Sequence, residues 1–162
     1  MTDDLQHRKA FFATLPRKRM AAGALFFDAA GRIYLVKPTY RTGWLIPGGA
    51  VEADEAPSVT CRREVREELG IAPPLGRLLC VEYLSEYDGY TESVQFIFDG
   101  GVLAAEAAAR IQLQASELAE GRFVWKTDLI KVGLLEFLLQ FLDLAPGFAQ
   151  FGRRGWWGRF LH

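Results

Sequence analysis

Between Pro47 and Pro74 the chain has room for one helix and little else. Pro47-Gly48-Gly49 breaks regular structure at one end, and Gly70 followed by Pro73-Pro74 stops a helix at the other. From about Ala56 to Leu69 the pattern is helical. Cys61, Val65 and Leu69 fall at i, i+4 and i+8, an apolar stripe that has to lie on a core. Glu64, Glu67 and Glu68 fall at i, i+3 and i+4 and project from one side. Like charges at this spacing cost about a few tenths of a kcal/mol per pair. Glu67 and Glu68 also occupy the last turn, where the helix dipole disfavours negative charge. A divalent cation removes both conflicts. Oxygen ligands select a hard ion such as Mg²⁺ or Mn²⁺ over zinc. A bare acidic triplet is more often a solvated helix face, so its surroundings have to decide.

Around that helix the chain reads as one mixed domain. Residues 3–14 form a short helix that ends before Pro16. Met20 to Asp28 and Ile33 to Lys37 are strands joined by a turn at Asp28-Ala29-Ala30-Gly31-Arg32. Leu75 to Glu86 and Thr91 to Phe98 are two more, with Asp88-Gly89 as a hairpin signal. Arg110 to Gln114 and Arg122 to Lys126 read as short strands, and Leu134 to Leu144 as a final amphipathic helix. The order predicts an α/β chain of the α+β type, with much antiparallel sheet and no βαβ rhythm. Residues 1–145 form the domain and 146–162 a tail. The tail, Pro146 to His162, holds five aromatics, three arginines and no acid. It either packs back on its domain or serves as a homodimer contact, a pocket-covering arm or a membrane-surface contact.

Composition removes several functions. The 162 residues carry 19 Lys+Arg against 20 Asp+Glu, without the basic excess of a general nucleic-acid binder. Two histidines, His7 and His162, exclude an HExxH zinc site and argue against a Ser-His-Asp triad. No nucleophile elbow, P-loop or dinucleotide fingerprint is present. Catalysis, if any, rests on carboxylates, lysines, arginines, tyrosines or a metal. Cys61 and Cys80 cannot build a disulfide framework, so a reduced, cytoplasmic protein is expected. The first twenty residues contain no signal-peptide apolar stretch. Leu134 to Ala145, the most apolar run, is interrupted by charges and shorter than the ~20 residues of a transmembrane segment.

The surroundings of the acidic triplet are specific. Gly49, five residues, Glu55, seven residues, then Arg63-Glu64-Val65-Arg66-Glu67-Glu68-Leu69-Gly70-Ile71 resembles the box of the Nudix hydrolases, G-x5-E-x7-R-E-U-x-E-E-x-G-U with U aliphatic. Its seven invariant positions, at usage of roughly 7% each, would match by chance on the order of once in 10⁸ windows. The resemblance implies a mixed β-sheet sandwiched between helices, with the box as loop–helix–loop. It implies that Glu64, Glu67 and Glu68 hold divalent ions, with the carbonyl of Gly48 adding a ligand. It implies that Arg63 and Glu55 brace the loop against the helix, and that Glu52 is an extra acid in that loop. A further downstream acid often completes such a site. Glu117 is the first candidate here and Glu120 the second.

The resemblance further implies Mg²⁺- or Mn²⁺-dependent hydrolysis of a diphosphate linkage in a nucleoside diphosphate derivative. A water attacks phosphorus, and Glu64, Glu68 or Glu117 takes its proton. Lys37, Tyr40 and Arg41 precede the box in a loop expected to face the pocket. Arg41 would meet a phosphate and Tyr40 would stack on a base. Tyr87 follows Ile71 at a spacing similar to a tyrosine of dinucleoside polyphosphate hydrolases. Two rivals remain open: a fold-alike domain that senses a nucleotide without turnover, and a hydrolase of prenyl or sugar diphosphates. Specificity lives in loops outside the box.

Overall fold

The computed structural model describes residues 2–86 and 89–129. Arg19–Phe27 forms strand β1, whose last six residues are all buried. A run buried on both faces belongs at the centre of a sheet. Strands β2 (Ile33–Pro38), β3 (Gly48–Ala50), β4 (Leu78–Leu84), β5 (Ser93–Val102) and β6 (Leu118–Val124) complete it. The order is β4-β5-β1-β2-β6, with β3 pairing β1 off this path. β1 runs parallel to β5 along its whole length; β1–β2, β1–β3, β2–β6 and β4–β5 are antiparallel. The sheet is therefore mixed and the class α+β.

One side of β1 forks. Its first half pairs with β3, through Ala21–Ala50, Ala22–Gly49 and Gly23–Gly48, while its end meets β2 at Phe27–Ile33. The segment between β2 and β3 fills the fork. Val36 and Leu45 exchange hydrogen bonds of 2.9 Å, and Ala24 N–H donates to the Pro47 carbonyl.

Helix α1 spans Thr2–Thr14, as read from the sequence, and is exposed from Asp4 onward. Helix α2, Pro57–Leu69, covers one sheet face. Its stripe of Cys61, Val65 and Leu69 packs with Phe26, Tyr34 and Val36. The other face gathers Leu25, Phe27, Ile33, Leu35, Trp44 and Ile97. The expected helix at Leu134 to Leu144 and the tail 146–162 lie outside the described residues. Among the described residues no helix is long and apolar enough to cross a membrane.

Three expectations change, and one short helix is added. Arg110 to Gln114 forms no strand. Its Ile111 and Leu113 pack on the α2 core, and Gln112 and Gln114 donate N–H groups to the Leu69 and Glu68 carbonyls at 2.9 and 3.1 Å. The alternation serves to satisfy the last carbonyls of α2, which have no partner within the helix. Ala105–Ala108 is a short helix, α3. Gly48–Ala50, read as a break, is a strand. β5 runs on past Phe98 to Val102, with a register shift opposite Leu25/Phe26.

Candidate active site

The site is assembled where α2, β3 and the segment before β6 meet. Pro57 occupies the first turn of α2, where its missing N–H costs nothing. Gly70 closes the helix in the left-handed conformation, φ 67°, its N–H bonded to Arg66 O. Two glycines let the β3 strand lie against the acidic side of α2. Gly48 has φ 147°, and a side chain there would run into the backbone of Ala22 and Gly23. A Cβ on Gly49 would occupy the position of the Glu64 carboxyl group.

Arg63 is the hub. Its Nε and Nη2 donate to Glu55 at 3.0 and 2.9 Å. Its Nη1 donates to Glu64 at 2.8 Å and Glu67 at 3.1 Å, and Nη2 reaches the Ala50 carbonyl at 3.3 Å. Glu52 stands at the edge of this network, 4.0 Å from Arg63. Glu55 also accepts from the Thr60 hydroxyl at 2.7 Å. These partners, Arg63 foremost, hold its carboxyl down at about 2. The same glutamates raise the Arg63 pKa. These bonds tie loop 50–55 to the helix.

Glu68 is different. It is buried, and the one hydrogen bond its carboxyl group receives comes from Gly48 N–H at 2.8 Å among the described contacts. Burial raises its pKa to about 8; Gly48 opposes the rise, while Glu64, Glu117 and Glu67 add to it. Burial likewise raises Glu64, against the pull of Arg63 and with the push of Glu67 and Glu117. The structure thus brings Glu117 into the field of Glu64 and Glu68. Thr39 secures that placement: its N–H donates to the Glu117 carbonyl at 2.8 Å, and its hydroxyl to Ser116 and Glu117 carbonyls at 3.2 Å. Glu120 lies elsewhere, on β6 opposite Lys37 and 3.8 Å from Arg122.

The donor set fits a hard cation. It contains only oxygen ligands, and a carboxyl whose pKa is raised by burial first and by its neighbours' charge second is a group that a cation would stabilise as the anion. As placed, Glu64 and Glu67 are taken up by Arg63, and among the described residues no three acidic, His or Cys side chains converge in metal-holding geometry.

The recognition candidates separate. Tyr40 and Arg41 lie in the loop before the box. Tyr40 is largely exposed. Partial burial of its phenol, then the charges of Glu68 and Glu117, raise its pKa. Arg41 stacks on Tyr90, 5.4 Å from the ring centroid. Lys37 belongs to β2 rather than the loop, paired with Glu120 on the face that carries Ile33 and Leu35. Tyr87 lies outside the described residues. Sequence reading missed Thr60, Thr39 and Tyr90. Their roles depend on partners that only folding brings near, so no local pattern marks them.

A family model described as NUDIX domain matches residues 17–141. Diphosphoinositol polyphosphate phosphohydrolase 2 of Rattus norvegicus is 39% identical over 64 residues, covering 39% of this chain and 36% of the relative. The RNA pyrophosphohydrolase of Gluconacetobacter diazotrophicus is 39% identical over 67 residues, covering 36% of this chain and 40% of the relative. The match therefore spans well under half of these relatives' length. The crystal structure of MutT protein from Methanosarcina mazei Go1 superposes with a TM-score of 0.66 at 24% identity, covering 80% of this chain and 94% of that one. At that identity the likeness concerns the fold.

Proposed function

This chain belongs to the Nudix family, and on that footing we propose that it hydrolyses a diphosphate linkage in a nucleoside diphosphate derivative. One observation carries the proposal. Glu68 is buried within the field of Glu64, Glu117 and Glu67 and has no cationic partner among its described contacts. A binding domain has no use for such mutual repulsion, which argues against the sensor alternative. Glu64, Glu67 and Glu68, with the Gly48 carbonyl, would hold Mg²⁺ or Mn²⁺. When bound, the ion supplies charge neutralisation at the phosphate oxygens.

The chain's own residues do the rest. A carboxylate oxygen of Glu64, Glu68 or Glu117 takes the proton of the water that attacks phosphorus. Glu55, Glu52 and Arg63 keep loop 50–55 in register with the helix. Arg41 meets phosphate oxygens, while Tyr40 faces the organic part of the substrate; Lys37, on the other face of β2, takes no part. The free thiols of Cys61 and Cys80 suit a reducing compartment, and we place the protein in the cytoplasm. The tail 146–162 is the candidate homodimer contact.

The test is phosphate-ester release with Mg²⁺ or Mn²⁺ across a panel of diphosphates. It includes ADP-ribose, nucleoside triphosphates, dinucleoside polyphosphates, nucleotide sugars, and prenyl diphosphates. Diphosphoinositol polyphosphates and RNA join it because the relatives' names carry them. Activity that disappears in a Glu67→Gln, Glu68→Gln protein supports the hydrolase. Metal binding without turnover on any member would transfer the weight to a sensor.

A further inference from the structure

Two loops flank the carboxylates, and one contact joins them. Arg41, in loop 39–43, lies over the ring of Tyr90 at 5.4 Å. Both residues are presented by anchored backbone. Thr39 ties its loop to the Ser116 and Glu117 carbonyls through three hydrogen bonds. Beyond Tyr90, Arg19 donates from Nε to the Thr91 hydroxyl at 2.8 Å and from Nη2 to the Thr91 carbonyl at 2.5 Å. The next residue, Glu92, is held by Lys18 and by the Tyr83 hydroxyl. Tyr90 is 40% exposed and Tyr40 71%, and Tyr40 lies within the field of Glu68, Glu117, Arg41 and Tyr90. Three planar groups thus stand at the rim of an acidic site, contributing little to the core.

We propose that Tyr90 and Arg41 form a recognition pair for the planar base of a nucleoside-linked diphosphate, with Tyr90 supplying the stacking face and Arg41 the charge that meets the phosphates. This rests on the hydrolase reading of the carboxylate cluster. A base stacks on an aromatic ring whatever its identity, and loss of one such contact weakens binding about tenfold. A planar guanidinium can remain stacked on a ring while its edge donates to a phosphate. A polyol bearing many phosphates would call for several cations at the rim. Here Arg63 is engaged by Glu55, Glu64 and Glu67.

The probes are α,β-methylene-ADP, which carries the base and resists hydrolysis, and methylenediphosphonate, which lacks the nucleoside. Dissociation constants are measured by calorimetry with Mg²⁺ present, alongside hydrolysis of the diphosphate panel by the same preparations. The wild type should favour the base-bearing probe about tenfold. Tyr90→Leu should bring that ratio close to one, and Tyr90→Trp, which keeps a stacking face, should retain it. Thermal melts of both variants check folding, and the Trp variant keeps the test open should the Leu variant unfold. A wild-type ratio near one, or a ratio untouched by Tyr90→Leu, overturns the recognition pair; the hydrolase reading then stands if the panel is turned over. Neither binding nor hydrolysis by the wild type would overturn both.

Discussion

Glu68 is the residue at which stability and function pull apart. Its carboxyl titrates near 8 when folded and near ~4.3 in an unfolded chain. The unfolded state therefore releases the proton first as pH rises, and the metal-free protein loses stability between about pH 4 and 8. Glu68→Gln removes that loss. We expect the chelated variant to melt above the chelated wild type at pH 8, with the gain shrinking toward pH 5. The same variant should lose about 10²- to 10⁴-fold in turnover with its circular dichroism unchanged. A variant that keeps near-normal activity in Mg²⁺ would remove Glu68 from the machinery. Gly49 makes a second residue-scale case. A methyl group there would displace the Glu64 carboxyl, and misplacement by about 1 Å costs about 10²-fold. Gly49→Ala should therefore lower kcat/KM by roughly that factor while the melting temperature changes little.

At the scale of elements, α2 is held at both ends by groups remote in sequence. Its start is tied to loop 50–55 by Arg63, Glu55 and Thr60. Its last carbonyls are satisfied by Gln112 and Gln114. The first tie is sensitive to acid. Glu55, held down at about 2, contributes stability that is present in full above its unfolded value of ~4.3 and disappears as pH falls through about 2. Melting temperatures of the wild type should therefore fall more steeply between pH 5 and 2 than those of Glu55→Gln. Parallel pH profiles would show that the Arg63 network adds nothing to stability.

At the scale of the molecule, the forked sheet and α2 act as one packed unit. Leu69 is fully buried between them, on the apolar stripe of α2. Leu69→Ala should cost about 2–5 kcal/mol in urea unfolding. The fraction that stays folded should retain near-normal kcat, because the substitution empties the core and leaves the acidic face alone. A selective loss of kcat without loss of stability would mean that core packing sets the position of the carboxylates directly.

Much of this was legible in residue order alone. Helix α2 could be read because its stripe, its Gly70 stop and its acidic side all follow from a 3.6-residue period, which is local. The spacing also put Glu64, Glu67 and Glu68 together on that helix for the same reason. Strands β1 and β2 and their turn were also local, with Gly31 in the turn at φ 83°. The parallel β1–β5 pairing was not legible, since strand partners are chosen by burial across the whole sheet. Neither was the fate of Arg110 to Gln114, whose alternation suits a strand until the bare carbonyls of α2 come near. The sequence by itself determined that a helix would carry a repelling acidic face, because charge and periodicity are properties of neighbours along the chain. Only the tertiary structure decided that Glu68 is the buried one, that Glu117 rather than Glu120 joins it, and that Arg41 meets Tyr90. Those outcomes depend on desolvation and on distances through space, which chain order does not encode locally.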